Sequence, residues 1–170
     1  DVFEDRREAA KKVADERYGN GACTAYNDFR EVLARKDIDA VCITVQDHWH
    51  ALIATAAARA GKDIYCQKPL GITVEESQAI RDAVRRHGRV FQTGTQQRSD
   101  RNFRVACELA RNGYLGKIHT VEVAAPGPSY QRRYTKPAPP EPIPPGFDFD
   151  MYQGPAKARP YNGGLWAWPD

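Results

Sequence analysis

The feature that most constrains the fold is a pair of short apolar runs separated by an alanine-rich segment of helical length. The runs cover residues 40–45 and 63–66, and the segment between them stops at Gly61. Each run has the length of a strand buried on both faces. Two such strands joined by a helix form a βαβ unit, which gives a parallel sheet with a right-handed crossover. Lys68 follows the second strand, so we expect it at the carboxyl end of the sheet, where open α/β sheets bind ligands.

The alternation of helices and strands continues along the chain to residue 125. Asp28 with Glu31 and Thr73 with Glu76 have the spacing of capping boxes, and Asp47 is a good N-cap for the third helix. The order predicts an α/β fold. Apolar spacing and capping residues together predict helices over 4–17, 29–35, 48–60, 73–87 and 100–112, and further strands over 90–93 and 118–125.

Composition changes after the last predicted helix, and this change predicts a domain boundary. Eight of the twelve prolines lie between Pro126 and Pro145, where the alternating order ends. Residues 146–170 carry six aromatic side chains, Trp166 and Trp168 among them, whereas disordered segments are poor in aromatic residues. We therefore predict one domain over residues 1–116 and the beginning of a second over residues 117–170.

Charge and cysteine content narrow the classes of function. The formal net charge is +3, from 25 basic and 22 acidic residues scattered together, so no nucleic-acid partner is expected. No apolar run is long enough to cross a bilayer. The four cysteines lack the C-x-x-C spacing of a zinc or redox site, and we interpret them as reduced, buried thiols of a reducing compartment. His48 and His50 point about 200° apart at a helix start, so no metal site is expected.

Short motifs follow one another in a fixed order from the first residue to residue 155. The motifs are Asp1-Val2, Asp37-Ile38-Asp39-Ala40-Val41, Asp47-His48-Trp49-His50, Gly61-Lys62-Asp63, Lys68-Pro69-Leu70, Gln96-Gln97-Arg98, Asp148-Phe149-Asp150 and Gly154-Pro155. Each motif is weak alone, but in their shared order and spacing the chain resembles the Gfo/Idh/MocA (glucose–fructose oxidoreductase and inositol dehydrogenase) family. The resemblance covers almost the whole chain.

The resemblance implies a Rossmann-like doubly wound parallel sheet that lacks its first βα unit, followed by the start of an α+β substrate domain. Residues 1–116 would form part of a dinucleotide-binding domain, and residues 117–170 would begin a C-terminal substrate and oligomerisation domain. A first strand and its G-x-G-x-x-G phosphate loop are expected before Asp1, which makes the chain a fragment. Gly19-Asn20-Gly21 is not that loop, because it follows a helix rather than a strand.

Lys68 is the predicted catalytic residue, because the resemblance implies an acid/base role for the lysine of the family's E-K-P motif. A lysine beside an oxidised nicotinamide meets a like charge and partial desolvation, and both favour its neutral form. The neutral amine takes a proton from a substrate hydroxyl as hydride leaves the carbon. The alternative is a lysine that only caps the end of a strand.

The resemblance also implies a set of cofactor contacts. Gln67 stands where the family usually has glutamate; its amide keeps an acceptor for a ribose hydroxyl, but the change also fits a branch that has lost activity. A carboxylate at Asp1 would hold the adenosine ribose and repel a 2′-phosphate, which favours NAD over NADP. His50 is expected either at the pocket edge or in ordinary packing, and Arg98 either at the site or as a surface charge. The predicted cofactor-binding residues are Asp1, Val45, Gln46, Asp47, His50, Gln67, Lys68, Gln97 and Arg98.

With these residues, the resemblance implies an NAD(P)-dependent oxidoreductase that acts on a secondary hydroxyl of a sugar, cyclitol or related polyol. Two alternatives stay open: an NAD-dependent glycosidase of the same family, and a non-catalytic protein that binds a cofactor or a sugar. The expected partner is a small molecule, with neither nucleic acid nor membrane, and the full-length protein is expected to be a homo-oligomer. No signal peptide is visible, which predicts a cytoplasmic protein, with export as the alternative because the chain begins at Asp1 rather than Met.

Overall fold

The computed structural model describes residues 1–124 and 139–163, which divide into two compact units. The first unit comprises Asp1–Gly94 together with Pro140–Asn162, and the second begins at Thr95. In chain order the elements are α1 (Glu4–Tyr18), α2 (Phe29–Ala34), β1 (Ala40–Ile43), α3 (Asp47–Arg59), β2 (Asp63–Gln67), α4 (Val74–His87), β3 (Phe91–Gly94), a 3₁₀ turn (Gln96–Ser99), α5 (Arg101–Arg111) and α6 (Phe149–Gln153).

The three strands of the first unit form one parallel sheet in the order β1-β2-β3. Ile43 of β1 pairs with Cys66 of β2, and Cys66 pairs in turn with Thr93 of β3, so the carboxyl ends of the strands lie level with one another. Helices α3 and α4 connect successive strands. The predicted α/β fold with a parallel sheet is therefore confirmed, and residues that follow β1 and β2 lie at one edge of the sheet.

The core lies between α3, α4 and one face of the sheet. Ala54, Ala57 and Ala58 of α3 are fully buried, and their small side chains allow the helix to pack closely against the strands. The cluster is completed by buried aliphatic residues and one thiol, namely Leu33, Ile43, Ile53, Ile64, Cys66 and Ile80. This packing fixes the position of the amino-terminal turn of α3 relative to the ends of β1 and β2.

Helix α4 begins and ends as its sequence predicts. The hydroxyl of Thr73 accepts from the Glu76 N–H, and the Glu76 carboxylate accepts from the Thr73 N–H, which completes a capping box. Gly88 ends the helix with a φ of 60°, a left-handed conformation that favours glycine. Both signals are local in sequence, so they needed no knowledge of the tertiary structure.

Two predicted caps differ from the observed ones. Asp47 lies inside the first turn of α3, and Gln46 takes the N-cap position without a side-chain hydrogen bond. Asp28 caps α2 as expected, but its side chain accepts from the Arg30 N–H rather than forming a box with Glu31. In α3 the first turn begins one residue earlier, and the side chains of the next two residues hydrogen-bond to α6, as described below.

The second face of the sheet is more exposed than the sequence predicts. Cys42 of β1 and Tyr65 of β2 are exposed, because no helix among the described residues covers this face. The prediction of strands buried on both faces is therefore wrong for this chain. The prediction of four buried thiols also fails, since Cys66 alone is buried while Cys42 and Cys107 are exposed and Cys23 is half-buried.

The strand predicted over residues 118–125 is not formed by residues 118–124, and residue 125 lies outside the described residues. A strand requires a neighbour for its N–H and C=O groups, and no described segment pairs with this one. The alternating pattern is present but its partner is not among the described residues. Trp166 and Trp168 also lie outside the described residues.

The segment around α6 packs against the amino-terminal residues of the first unit. The rings of Phe3 and Phe147 stack with centroids 4.0 Å apart, and the two residues form an antiparallel bridge. The Asp148 N–H donates to the Val2 carbonyl at 3.0 Å, and Phe149 meets Tyr161 edge-on with centroids 5.2 Å apart. The aromatic residues of this part of the chain therefore belong to the packing of the first unit.

Candidate functional site

Lys68 lies directly after β2, at the carboxyl end of the parallel sheet. Its side chain is exposed, and the peptide bond to Pro69 is cis. The Lys68 N–H donates to Oε1 of Gln67 at 2.7 Å, so the preceding side chain folds back onto the lysine backbone. The amine is thus carried on a short loop whose backbone is held by its neighbour, with the side chain open to solvent.

Gln67 owes its position to the absence of a side chain at Gly94. The last residues of β2 and β3 pair here, and a Cβ built on Gly94 would lie 2.9 Å from Oε1 of Gln67 and 3.0 Å from its Cα. Any other residue at position 94 would displace the glutamine. Oε1 accepts from the Lys68 N–H and keeps a second lone pair, and the NH₂ group of the same amide is a donor for a ligand.

His50 joins the loops that follow β1 and β2. Its side chain is 0% exposed. Nδ1 lies 2.5 Å from the Pro69 carbonyl oxygen, and Nε2 lies 3.0 Å from the Val45 carbonyl oxygen. The sequence allowed either a place at the pocket edge or ordinary packing for this histidine. In the structure His50 is packed in the interior, and both of its ring nitrogens face backbone carbonyls.

The other two aromatic residues of the Asp47-His48-Trp49-His50 motif hold α6. His48 Nε2 donates to the Tyr152 carbonyl and Trp49 Nε1 donates to the Met151 carbonyl, both at 3.0 Å. The Trp49 ring also occupies the space beside Gly154, where an added Cβ would lie 2.1 Å from the ring. The amino-terminal turn of α3 therefore contacts two other segments. His48 and Trp49 bind α6, and His50 binds the loop after β2 that carries Lys68 (residues 68–73, the lysine loop).

A cavity of about 350 Å³ lies in the first unit beside β1. Three of the predicted cofactor residues, Asp1, Val45 and Gln46, line it. Its other polar and aromatic neighbours were not predicted as site residues. Trp49 belongs to the Asp47-His48-Trp49-His50 motif, whereas Tyr26, Asn27 and Phe29 come from a part of the chain without one, and the remaining walls are largely aliphatic.

Hydrogen bonds fix the polar rim of this cavity. The Asp1 carboxylate accepts from the Phe3 N–H at 3.0 Å. Asn27 donates to the Asp148 carboxylate at 2.6 Å and accepts from Arg7 at 3.2 Å, while Arg7 also donates to the Asp1 carbonyl. The Asp1 carboxylate keeps lone pairs for further donors, since a carboxylate accepts several hydrogen bonds.

The remaining predicted residues are exposed. Asp47 lies in the first turn of α3, and Gln97 and Arg98 lie in the 3₁₀ turn of the second unit. The residue just before Gln67, Cys66, has a thiol whose pKa is raised to about 11 by burial and then by the nearby Cys42. This thiol is therefore neutral near pH 7 and is not a nucleophile.

The described residues offer neither a metal-binding cluster nor a membrane-spanning helix. No group of three or more His, Cys, Asp or Glu side chains is placed to hold a metal ion within residues 1–124 and 139–163. In the same ranges no helix combines the length and the apolar character needed to span a membrane.

Comparison with known proteins places these features in context. Residues 1–95 match the model of a family described as an oxidoreductase family with an NAD-binding Rossmann fold, GFO_IDH_MocA. The chain is 30% identical over 130 residues to a myo-inositol 2-dehydrogenase of Thermotoga maritima, covering 76% of this chain and 37% of that protein. It is 39% identical over 92 residues to a levoglucosan dehydrogenase of Pseudarthrobacter phenanthrenivorans, covering 54% of this chain and 24% of that protein.

The fold agrees with a solved structure as well. An NAD-binding protein from Listeria innocua superposes with a TM-score of 0.59 at 30% identity, over 69% of this chain and 31% of that protein. The chain thus spans about a quarter to two fifths of the length of these relatives.

Proposed function

This chain belongs to the Gfo/Idh/MocA oxidoreductase family with an NAD-binding Rossmann fold, and from that premise we propose a hydride-transfer activity for the full-length protein. The proposed reaction moves hydride between NAD and a secondary hydroxyl of a sugar, cyclitol or related polyol. Lys68 is the proposed acid/base. The observation that carries the proposal is the exposed Lys68 amine at the carboxyl end of β2, on a backbone held by Gln67 and His50.

The substrate class is supported by the relatives. The names of two of them are myo-inositol 2-dehydrogenase and levoglucosan dehydrogenase, so both act on carbohydrate-like molecules. A polyol hydroxyl is a weak acid, and its oxidation requires a group that removes its proton. We propose the Lys68 amine for that task because it lies exposed at the carboxyl end of β2.

The residues around the cavity fit the cofactor by their chemistry. The Asp1 carboxylate supplies acceptors for two ribose hydroxyls, and its charge disfavours a 2′-phosphate, which is why NAD is proposed rather than NADP. Val45 and Gln46 would border the same nucleotide, and Asp47, Gln67, Gln97 and Arg98 are proposed as further contacts. When bound, the nicotinamide ring supplies the hydride acceptor.

The proposed proton transfer uses Lys68 alone. In the oxidising direction the neutral amine takes the hydroxyl proton as the carbon loses hydride, and the ammonium is left behind. In the reducing direction the ammonium returns that proton to the alkoxide oxygen. The Gln67 amide, whose Oε1 accepts from the Lys68 N–H, would offer its NH₂ group as a donor there without adding a charge.

Replacement of Lys68 by Met tests the proposal in the full-length protein. Methionine keeps the side-chain length and removes the titratable amine. We expect turnover of a responsive polyol to fall by more than about 100-fold, the usual contribution of a general acid/base, while NAD affinity changes by only a few-fold. The readout is NADH formation at 340 nm together with calorimetric titration of NAD.

Lys36→Met is the matched control. Lys36 is also exposed, but it precedes β1, at the amino end of the sheet. This variant should keep full turnover. Retained turnover in Lys68→Met would remove that lysine from the mechanism.

The same assays separate the two alternatives. A glycosidase would recycle its cofactor and release a free sugar without net NADH. A non-catalytic binding protein, which the glutamine at position 67 favours because it replaces a carboxylate, would bind NAD in the calorimeter and transfer no hydride to any polyol. Net accumulation of NADH with a polyol supports the dehydrogenase.

Three further proposals concern the whole protein. We propose that residues 117–170 begin a substrate and oligomerisation domain, that the full-length protein is a homo-oligomer, and that it is cytoplasmic. Light scattering after gel filtration of the full-length protein measures its oligomeric state, and a variant truncated before residue 117 tests whether the later residues are needed for assembly. Fractionation of the cells that produce the protein measures its location.

A further inference from the structure

We infer that His50 is a positioning residue for Lys68, acting through the carbonyl groups of the two loops that flank the site. The inference rests on the proposed function only for its kinetic readout. His50 does not touch the reacting atoms in this proposal. It fixes the backbone from which the lysine extends.

The geometry of the contacts supports this role. Val45 lies two residues beyond the end of β1, and Pro69 lies two residues beyond the end of β2. These strands are directly paired, so the two loops run side by side. The fully buried imidazole spans them, with Nδ1 at the Pro69 oxygen and Nε2 at the Val45 oxygen.

Neither carbonyl takes part in the sheet, because both lie beyond the paired residues. A neutral imidazole donates at only one ring nitrogen and a protonated one at both, so the buried ring donates to at least one of these carbonyls, and the shorter contact is the one to Pro69. Removal of the Nδ1 contact would free the Pro69 carbonyl, and with it the residue that precedes the proline, Lys68. Removal of the Nε2 contact would free the end of the loop after β1 instead.

Asparagine and glutamine separate the two contacts. The Asn amide nitrogen can occupy approximately the place of histidine Nδ1, and the Gln amide nitrogen approximately that of Nε2. His50→Asn therefore keeps a donor toward Pro69, and His50→Gln keeps one toward Val45. Both variants place an amide in the same buried space, so a purely structural role predicts similar losses for the two.

Positioning predicts an unequal result in the full-length protein. We expect His50→Gln to lose about tenfold in kcat, comparable to one hydrogen bond, with little change in KM for the polyol or in NAD affinity. His50→Asn should recover most of that loss. His48→Phe is the control, because it removes a histidine–carbonyl hydrogen bond from the same helix turn but the bond goes to α6. Its kcat should stay within about twofold of the unmodified protein.

Hydrogen exchange provides a readout that does not depend on activity. Amides in the loop after β2, residues 68–73, should exchange about tenfold faster in His50→Gln than in His50→Asn, while amides of α6 should exchange equally in both. If the full-length protein oxidises no polyol but the exchange rates differ in this way, the proposed reaction is wrong and the positioning role of His50 is still supported. Equal exchange and equal kcat in the two His50 variants would overturn the inference.

Discussion

At the scale of single residues, Lys62 has a structural role although a lysine side chain is normally exposed to solvent. Lysine is rarely buried unless it is paired, yet Lys62 is 6% exposed. Its amine donates to the carbonyls of Arg35, at 2.5 Å, and Ile38, at 2.8 Å. These carbonyls lie between α2 and β1, so Lys62 fixes the entry to β1 from the start of β2.

Replacement of Lys62 by Met should destabilise the first unit. Methionine fills most of the space of the lysine stem but leaves two partly buried carbonyls without this donor, at a total cost of about 1–3 kcal/mol. We expect a lower free energy of unfolding in urea with an unchanged slope. Lys36→Met, at the exposed position next to Arg35, should leave the unfolding midpoint unaltered, and an equal midpoint for both variants would show that Lys62 has no such role.

The position of Lys68 could be predicted from sequence, whereas the roles of Lys62 and His50 could not. Lys68 follows a recognisable apolar strand, so its place at the sheet edge depends only on local pattern. The partners of Lys62 and His50 are backbone carbonyls of distant loops. Every residue has such a carbonyl, so no residue type in the sequence marks these partners.

At the scale of elements, α3 does most to organise the site. Its alanine face forms the core, and its first turn holds α6 and the lysine loop. The capping box of α4 was predicted correctly because both of its members are close in sequence. The start of α3 was not, because His48 and Trp49 are engaged by carbonyls of α6, about a hundred residues further along the chain.

Replacement of Gly154 by Ala tests the contact between α3 and α6. An added Cβ would lie 2.1 Å from the Trp49 ring, in a residue whose φ of 50° is already unfavourable for alanine. We expect the free energy of unfolding to fall by about 3 kcal/mol or more, since overpacking adds to the backbone strain. Limited proteolysis should cut near α6 sooner than in the unmodified chain.

Gly21→Ala is the matched control for that variant. Gly21 has a similar φ of 59°, but nothing lies within 4 Å of its added Cβ. Its cost should be the backbone strain alone, about 1 kcal/mol. Similar losses in the two variants would mean that the Trp49 contact adds nothing.

At the scale of the whole molecule, the order of elements was predictable but the surroundings of the sheet were not. The strand–helix–strand order follows from apolar periodicity, and the family match agrees with it. The exposure of Cys42 and Tyr65, and the missing pairing of residues 118–124, depend on which segments lie alongside. Periodicity describes the faces of an element, but it carries no information about what covers them.

The described residues hold no suitable place for the diphosphate of a dinucleotide. Gly19 is the C-cap of α1, which confirms that Gly19-Asn20-Gly21 is not a phosphate loop after a strand. The turn between β1 and α3 has no glycine, and the Asp47 carboxylate in the first turn of α3 repels an anion at that helix terminus. In the described ranges, the outer edge of β1 is also unpaired.

The 170-residue chain on its own should therefore bind NAD weakly, even though it carries Lys68 and the residues around the cavity. Without donors for the diphosphate, the remaining contacts are those of the nucleoside ends, and the open edge of β1 favours self-association. We expect calorimetry to give no saturable binding at micromolar NAD, whereas the full-length protein saturates. Adenosine should bind the 170-residue chain about as weakly as NAD does, because the diphosphate contributes little to the affinity. A micromolar dissociation constant for the 170-residue chain would mean that a phosphate site exists within it.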